Sequence, residues 1–262
     1  MRLDRLLVER GFVSSRQRAK ELLSQGKVLV DGKCNTKPSL DVSRAAKIEV
    51  LAPPFAYPSR GGLKLEKALN VFEVEVMDRV ALDVGASTGG FTSCLLQAGA
   101  RLVIAVDVGQ DQLAQELRHD PRVKVFEKTN IRDLTRDQLP APPSLATIDV
   151  SFISLTKVLP HVCSLLAPSG EVIALIKPQF ETEGVGLSKH GVIQDQRIHC
   201  TYLSPLINQL QGDNFGLLGF DFSPISGSKG NIEYLAHFRL GAKTQDATAL
   251  VLQVIERAWS AQ

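Results

Sequence analysis

The stretch "ALDVGASTGGF", residues 81–91, decides the fold of everything around it. An apolar run carrying one acid, Asp83, breaks at Gly85 into a small polar turn that ends in Gly89 and Gly90. A strand, turn and helix start of this kind opens a ligand crevice, because open α/β sheets bind ligands beyond the carboxyl ends of their strands. Two phosphate-binding readings can be tested letter by letter. A P-loop needs Gly-x-x-x-x-Gly-Lys-Ser/Thr, and Phe91 follows Gly90 where the lysine belongs. A dinucleotide turn needs Gly-x-Gly-x-x-Gly so that the backbone can approach a pyrophosphate, and Ser87 occupies its second glycine. What remains is a glycine-bearing turn with a carboxylate two residues upstream.

Downstream, the apolar runs "RLVIAVDVG", "VKVFEKTN", "SLATIDVSFI" and "EVIALIKP" alternate with segments of helical length. This alternation predicts a mostly parallel sheet covered on both faces. The neighbouring runs "FGLLGFDFSPI" and "EYLAHFRL" predict an antiparallel pair at its edge. Upstream, "APPFAYPSRGG" (52–62) is rich in proline and glycine without an apolar period, which predicts a linker. The expected organisation is therefore a small domain over 1–51, a linker over 52–62 and an α/β domain over 63–262.

In the first segment Leu3, Leu6 and Leu7 have helical spacing up to Gly11, and Ser14 or Ser15 can cap a second helix that stops at Gly26. Asp31-Gly32 inside "KVLVDGKCN" predicts a hairpin turn. The charge is uneven. Residues 1–50 carry a net +5 and the remainder −3, within a total of +2. A small basic module on a neutral-to-acidic body suits an anionic polymer, with a solvated basic surface as the alternative. Cys34, Cys94, Cys163 and Cys200 form no CxxC pair, so neither a zinc site nor a disulfide framework is expected. The start "MRLDRLLVERG" is charged throughout and does not read as a signal peptide. No apolar run approaches the ~20 residues that cross a bilayer. A cytoplasmic protein without a membrane partner is expected.

Four polar residues stand at strand or helix edges, where burial is costly unless a compensating role offsets it. They are Lys64 in "GGLKLEKAL", Asp149 in "TIDVSF", Lys177 in "ALIKPQF" and Glu233 in "GNIEYLAHF". Asp149 and Lys177 are the sharpest, since each ends an apolar strand on the side where the crevice should lie. Phe152 could stack on an aromatic ligand, although a packed core phenylalanine is the simpler reading.

Several stretches resemble known families. "RLDRLLVERGFVSSRQRAKELLSQGKVLVDGK…KPS" resembles the S4 RNA-binding domain over residues 1 to about 48. That resemblance implies contacts to structured RNA from Arg2, Arg5, Arg16, Arg18 and Lys20. The turn after the first strand resembles the first motif of S-adenosylmethionine-dependent methyltransferases. It implies a Rossmann-like class I methyltransferase domain in which Asp83, Gly85, Ser87, Thr88, Gly89 and Gly90 line the cofactor site. Asp107 would accept the ribose hydroxyls and Asn130 would approach the adenine, with ordinary turn roles as the alternative for both.

The order Lys64, Asp149, Lys177, Glu233 resembles the catalytic tetrad of FtsJ-like RNA ribose 2′-O-methyltransferases. Together with "SRGGLKL", "DVSFISL", "KPQFE" and "GSKGNIEYL", it makes residues 1–240 similar to the TlyA family. Members are bacterial rRNA cytidine 2′-O-methyltransferases, often labelled hemolysins. The resemblance implies S-adenosylmethionine as cofactor, ribosomal RNA or ribosomal subunits as partner, and no metal. Lys177 would be the general base, Asp149 would orient it, and Lys64 and Glu233 would tune the field. Two other classes compete: a membrane-active cytolysin and a nonenzymatic RNA-binding assembly factor.

Overall fold

The computed structural model describes residues 1–13, 16–24, 26–51, 56–227 and 229–261. They divide into two units, Met1–Pro58 and Ser59–Gln262. In the first unit, α1 (Leu3–Glu9) and α2 (Arg16–Ser24) are followed by β1 (Val28–Val30), β2 (Lys33–Cys34) and β3 (Ile48–Val50), ordered β2-β1-β3 with antiparallel pairing. Leu3, Leu6 and Leu7 from α1 meet Leu22, Leu23 and Val28 in its core, the face that the leucine spacing predicts. Asp31 and Gly32 both take positive φ, 51° and 78°, as a two-residue hairpin turn of the expected kind requires. β3 is not legible in advance, because "IEV" is too short to show a period. The expected Ser14/Ser15 cap and residues 52–55 of the expected linker lie outside the described residues.

The first helix of the second unit is α3 (Gly61–Val71), whose first two residues, Gly61 and Gly62, fall within the stretch that reads as linker. Then follow β4 (Val80–Val84), α4 (Gly90–Gln97), β5 (Leu102–Val106), α5 (Gln115–Arg118), β6 (Val123–Phe126), β7 (Leu145–Ile148), α6 (Leu159–Leu165) and β8 (Glu171–Ile176). The last elements are α7 (Gln196–Leu210), β9 (Phe215–Phe222), β10 (Tyr234–Leu240) and α8 (Thr248–Ser260). The sheet order is β6-β5-β4-β7-β8-β10-β9. β6 to β8 are parallel, and β10 runs antiparallel to both β8 and β9. The two late apolar runs are thus the expected antiparallel pair, with β10 inside the sheet and β9 at its edge.

Strands covered by helices on both faces must be apolar end to end, and every residue of β4 is buried. Its one polar member, Asp83, is accommodated by two hydroxyls: Thr92 of α4 donates to Oδ2 at 2.6 Å and Thr147 of β7 to Oδ1 at 3.0 Å. From β4 the chain builds β5 and β6 on one side and returns to build β7 on the other. This reversal leaves an open crevice beyond the carboxyl ends of β4 and β7.

Candidate active site

The turn after β4 shapes that crevice. Gly85 has φ of +86°, and a β-carbon on it would collide with the carbonyl oxygen of Asp149 at the end of β7. Glycine is required there by the approach of a neighbouring strand. Ser87, also at positive φ, donates its backbone N–H to Asp107 Oδ2 at 2.7 Å, and Gly109 donates to Oδ1 at 2.7 Å. Asp107, just past β5, therefore joins two turns while each of its oxygens keeps a second accepting site.

The crevice has a volume of about 490 Å³ and is lined by Gly85, Ser87, Asp107, Gln112, Asn130, Asp149 and Phe152, among others. That size accommodates a small organic cofactor. The paired oxygens of Asp107 suit two neighbouring ribose hydroxyls. Asn130 lines the wall and also caps the following turn, accepting the Arg132 N–H at 3.1 Å.

Four of the expected cofactor residues do not line this cavity. Asp83 is fully buried with both oxygens engaged by hydroxyls, and burial, aided by the nearby Asp149 charge, pushes its carboxyl up to about 6. Thr88 is exposed beside the crevice and accepts the Ala114 N–H through its carbonyl at 3.3 Å. Gly89, at φ +94°, precedes α4, and a β-carbon there would collide with Leu117 and crowd Leu113. Gly90 lets α4 approach Ser59 and Gly62. None of the four lines the crevice.

The four edge residues form two ion pairs. Lys177 Nζ lies 2.5 Å from Asp149 Oδ1 and donates to Ser151 Oγ at 3.0 Å. Lys64, on α3, pairs with Glu233, both buried. Strand register explains their convergence. Ile148 opposes Ala174, and Tyr234 opposes Ile176. Asp149, Lys177 and Glu233 therefore sit at the same end of three adjacent strands, with Glu233 and Lys177 each one step beyond a paired position. A β-carbon on Gly227 would collide with Glu233 Oε1, so that glycine makes room for the carboxylate. Asp149 Oδ1 is buried and, despite its closeness to Lys177, receives no aligned hydrogen bond.

Two contributors escape sequence reading, Ser151 and Phe180, and the stacking role weighed for Phe152 fits its placement better than the core role does. Phe152 is not a core residue. It is 89% exposed at φ +64°, with its ring 4.9 Å from that of Phe180. Glu181 ties this loop down by accepting from Ser154 Oγ at 2.6 Å and the Leu155 N–H at 3.0 Å, and burial pushes its carboxyl up. A second cavity of about 440 Å³ lies on the other side of Phe152, with Arg132, Lys157 and Phe180 in its wall.

In the first unit, Arg2, Arg5, Arg16 and Lys20 are exposed. Arg18 is not: at 6% exposure its guanidinium donates to the carbonyls of Tyr57 and Pro58. Two residues along a helix is more than half a turn, so Arg18 points away from the face that Arg16 and Lys20 share.

The model of the FtsJ-like methyltransferase family matches residues 57–240, and that of the S4 domain matches residues 1–48. The chain is 40% identical over 258 residues to the 16S/23S rRNA (cytidine-2′-O)-methyltransferase TlyA of Mycobacterium tuberculosis, covering 98% of this chain and 95% of that protein. It is 41% identical over 239 residues to Hemolysin A of Brachyspira hyodysenteriae, covering 91% and 99%. A solved structure of a hemolysin-named protein from Streptococcus thermophilus aligns with a TM-score of 0.78 at 39% identity, covering 99% and 96%.

Proposed function

The chain belongs to the FtsJ-like methyltransferase family, in its S4-bearing TlyA branch, and from that premise we propose that it methylates the 2′-hydroxyl of a cytidine ribose in ribosomal RNA, using S-adenosylmethionine. The observation that carries this reading is the Asp149–Lys177 pair beside a cofactor-sized crevice, with Glu233 of the Lys64–Glu233 pair at the same end of the adjacent strands.

A ribose hydroxyl is a weak nucleophile, so the reaction needs alignment and a proton acceptor. Bound S-adenosylmethionine supplies an electrophilic methyl group on a sulfonium centre. Asp107 holds the ribose through its two free accepting sites, and Asn130 adds a polar group to the crevice wall. Lys177, positioned by Asp149 and Ser151, would as the free amine take the proton from the acceptor oxygen as the oxygen–methyl bond forms and the methyl–sulfur bond breaks. The exposed Phe152 ring, with Arg132 and Lys157 around the adjoining cavity, supports a place for the acceptor nucleotide, since unstacked bases settle on aromatic faces. The basic surface of the first unit supports binding to the RNA backbone.

The competing cytolysin reading draws on the hemolysin name of relatives. No helix among the described residues is long and apolar enough to cross a membrane. One experiment tests the proposal: incubate the protein with unmodified ribosomal subunits and methyl-labelled cofactor, then map the label. Label on a cytidine 2′-oxygen is expected. Label on a base, or none on RNA, overturns it.

A further inference from the structure

We propose that Asp4 is a positioning residue for RNA: from beneath the surface of the first unit it holds the guanidinium groups of Arg2 and Arg16 as a preformed site for backbone phosphate. This rests on the reading above that the first unit binds RNA, and adds to it how the arginines are held.

Asp4 lies in the first turn of α1 and is 0% exposed. A buried carboxylate is costly unless its oxygens are filled, and here two side chains fill them. Arg2 donates from Nε to Oδ1 at 3.0 Å and from its terminal nitrogen to Oδ2 at 3.1 Å, a fork on both oxygens. Arg16, from α2, donates to Oδ2 from Nε at 3.2 Å and from its terminal nitrogen at 2.8 Å. Hydrogen bonding from Arg2 holds the Asp4 carboxyl well below the usual carboxylate range, against the opposing effect of burial.

The arginines themselves stay open to solvent, with side chains 43% and 49% exposed. A guanidinium carries five N–H donors in a rigid fork, and Asp4 is the partner of each among the described residues. The remaining donors are free to take an anion. An arginine that must first be ordered gives up rotamer freedom on binding; this pair has already given it up. Three charges in contact leave a net positive site, and Arg5 and Lys20 stand exposed on the same two helices. Planar forks suit phosphate oxygens better than point charges do.

The test turns on the sign of one effect. Asp4→Asn removes an anion from a surface that binds a polyanion, which by charge alone should tighten RNA binding. If Asp4 positions the forks, the full-length variant instead binds an unmodified rRNA transcript more weakly, by roughly tenfold, the scale of one charge-assisted hydrogen bond. The loss falls on KM for RNA rather than on kcat, and it vanishes when Arg2→Ala and Arg16→Ala are already present. Equal or tighter binding by folded Asp4→Asn overturns the inference. Should Asp4→Asn fail to fold, Arg2→Lys/Arg16→Lys keeps both charges without the forks. The same tenfold loss supports the proposal, and unchanged affinity overturns it. Wild-type protein that neither binds nor methylates rRNA overturns the function as well, whereas a wild type that does both isolates the failure to Asp4.

Discussion

The backbone carbonyl oxygen of Asp149 fills the space that a β-carbon on Gly85 would need. One residue thereby joins the turn that shapes the cofactor crevice to the carboxylate that steadies Lys177. Gly85→Ala meets both that collision and a φ of +86°, a combination that costs about 1–3 kcal/mol. Relief requires the end of β7 to move, carrying Asp149 away from Lys177. The variant should melt at a lower temperature and transfer methyl more slowly even with saturating cofactor. A wild-type melting temperature together with a wild-type single-turnover rate would refute this coupling.

Two buried groups should pull stability in opposite directions with pH. Asp83 is pushed up to about 6 by burial, so between about pH 4 and 6 the folded state holds more protons than the unfolded state, and its contribution to stability falls as pH rises. His199, fully buried with Nδ1 2.7 Å from the Tyr234 hydroxyl, is pushed down to about 4 by burial. There the unfolded state holds more protons between about pH 4 and 6.5, and its contribution rises with pH. Each shift is on the order of 3 kcal/mol, so in the wild type the two slopes largely offset. Relative to wild type, Asp83→Asn should gain stability from pH 4.5 to 6.5, and His199→Gln should lose it. Urea unfolding at the two pH values measures both. Parallel profiles for the two variants would contradict the burial of these groups.

Arg18 and Lys20 lie two residues apart and should behave as different kinds of residue. Arg18→Ala strips the donors from the Tyr57 and Pro58 carbonyls and should cost about 1–3 kcal/mol of stability. The salt dependence of RNA affinity should keep its slope. Lys20→Ala should leave stability within about 0.5 kcal/mol and lower the salt slope by about one. Exchange of these two outcomes would show that the helix presents the other face to RNA.

How far the site was legible follows from what each signal can report. Asp149, Lys177 and Glu233 were visible because each interrupts an apolar run at a strand end, and strand order then brings those ends together. Their pairing was not visible: Lys64 and Glu233 are separated by 169 positions. The direction of Asp83 was not legible, because a strand-end carboxylate can face the crevice or the interior. Its register partner Thr147 and the hydroxyl of Thr92 show that it faces inward. Gly85, Gly89 and Gly90 look alike as letters, yet they answer to a strand carbonyl, two leucines and a helix start respectively. Phe152 read as core because it is apolar. Its exposure comes from a left-handed backbone that phenylalanine rarely adopts and that no residue type announces.

Lys177 is where the chemistry is most exposed to disproof. Its ammonium is held by Asp149 and Ser151 at the carboxyl end of β8, a position open both to proton transfer and to purely electrostatic work. Lys177→Ala should keep its fold and its cofactor affinity yet lose about 10²–10⁴ in transfer rate, the range for a positioned general base. That result alone would not separate the two roles. Lys177→Arg does, because arginine keeps the positive charge and cannot give up its proton in a protein. If the lysine removes the proton, the arginine variant should be as slow as the alanine variant. If Lys177→Arg transfers methyl at the wild-type rate, the lysine is a charge that holds Asp149 in place, and the proton must leave through Asp149 or water. Asp149→Asn would then decide between them, since it preserves the size of the side chain while removing its capacity to accept.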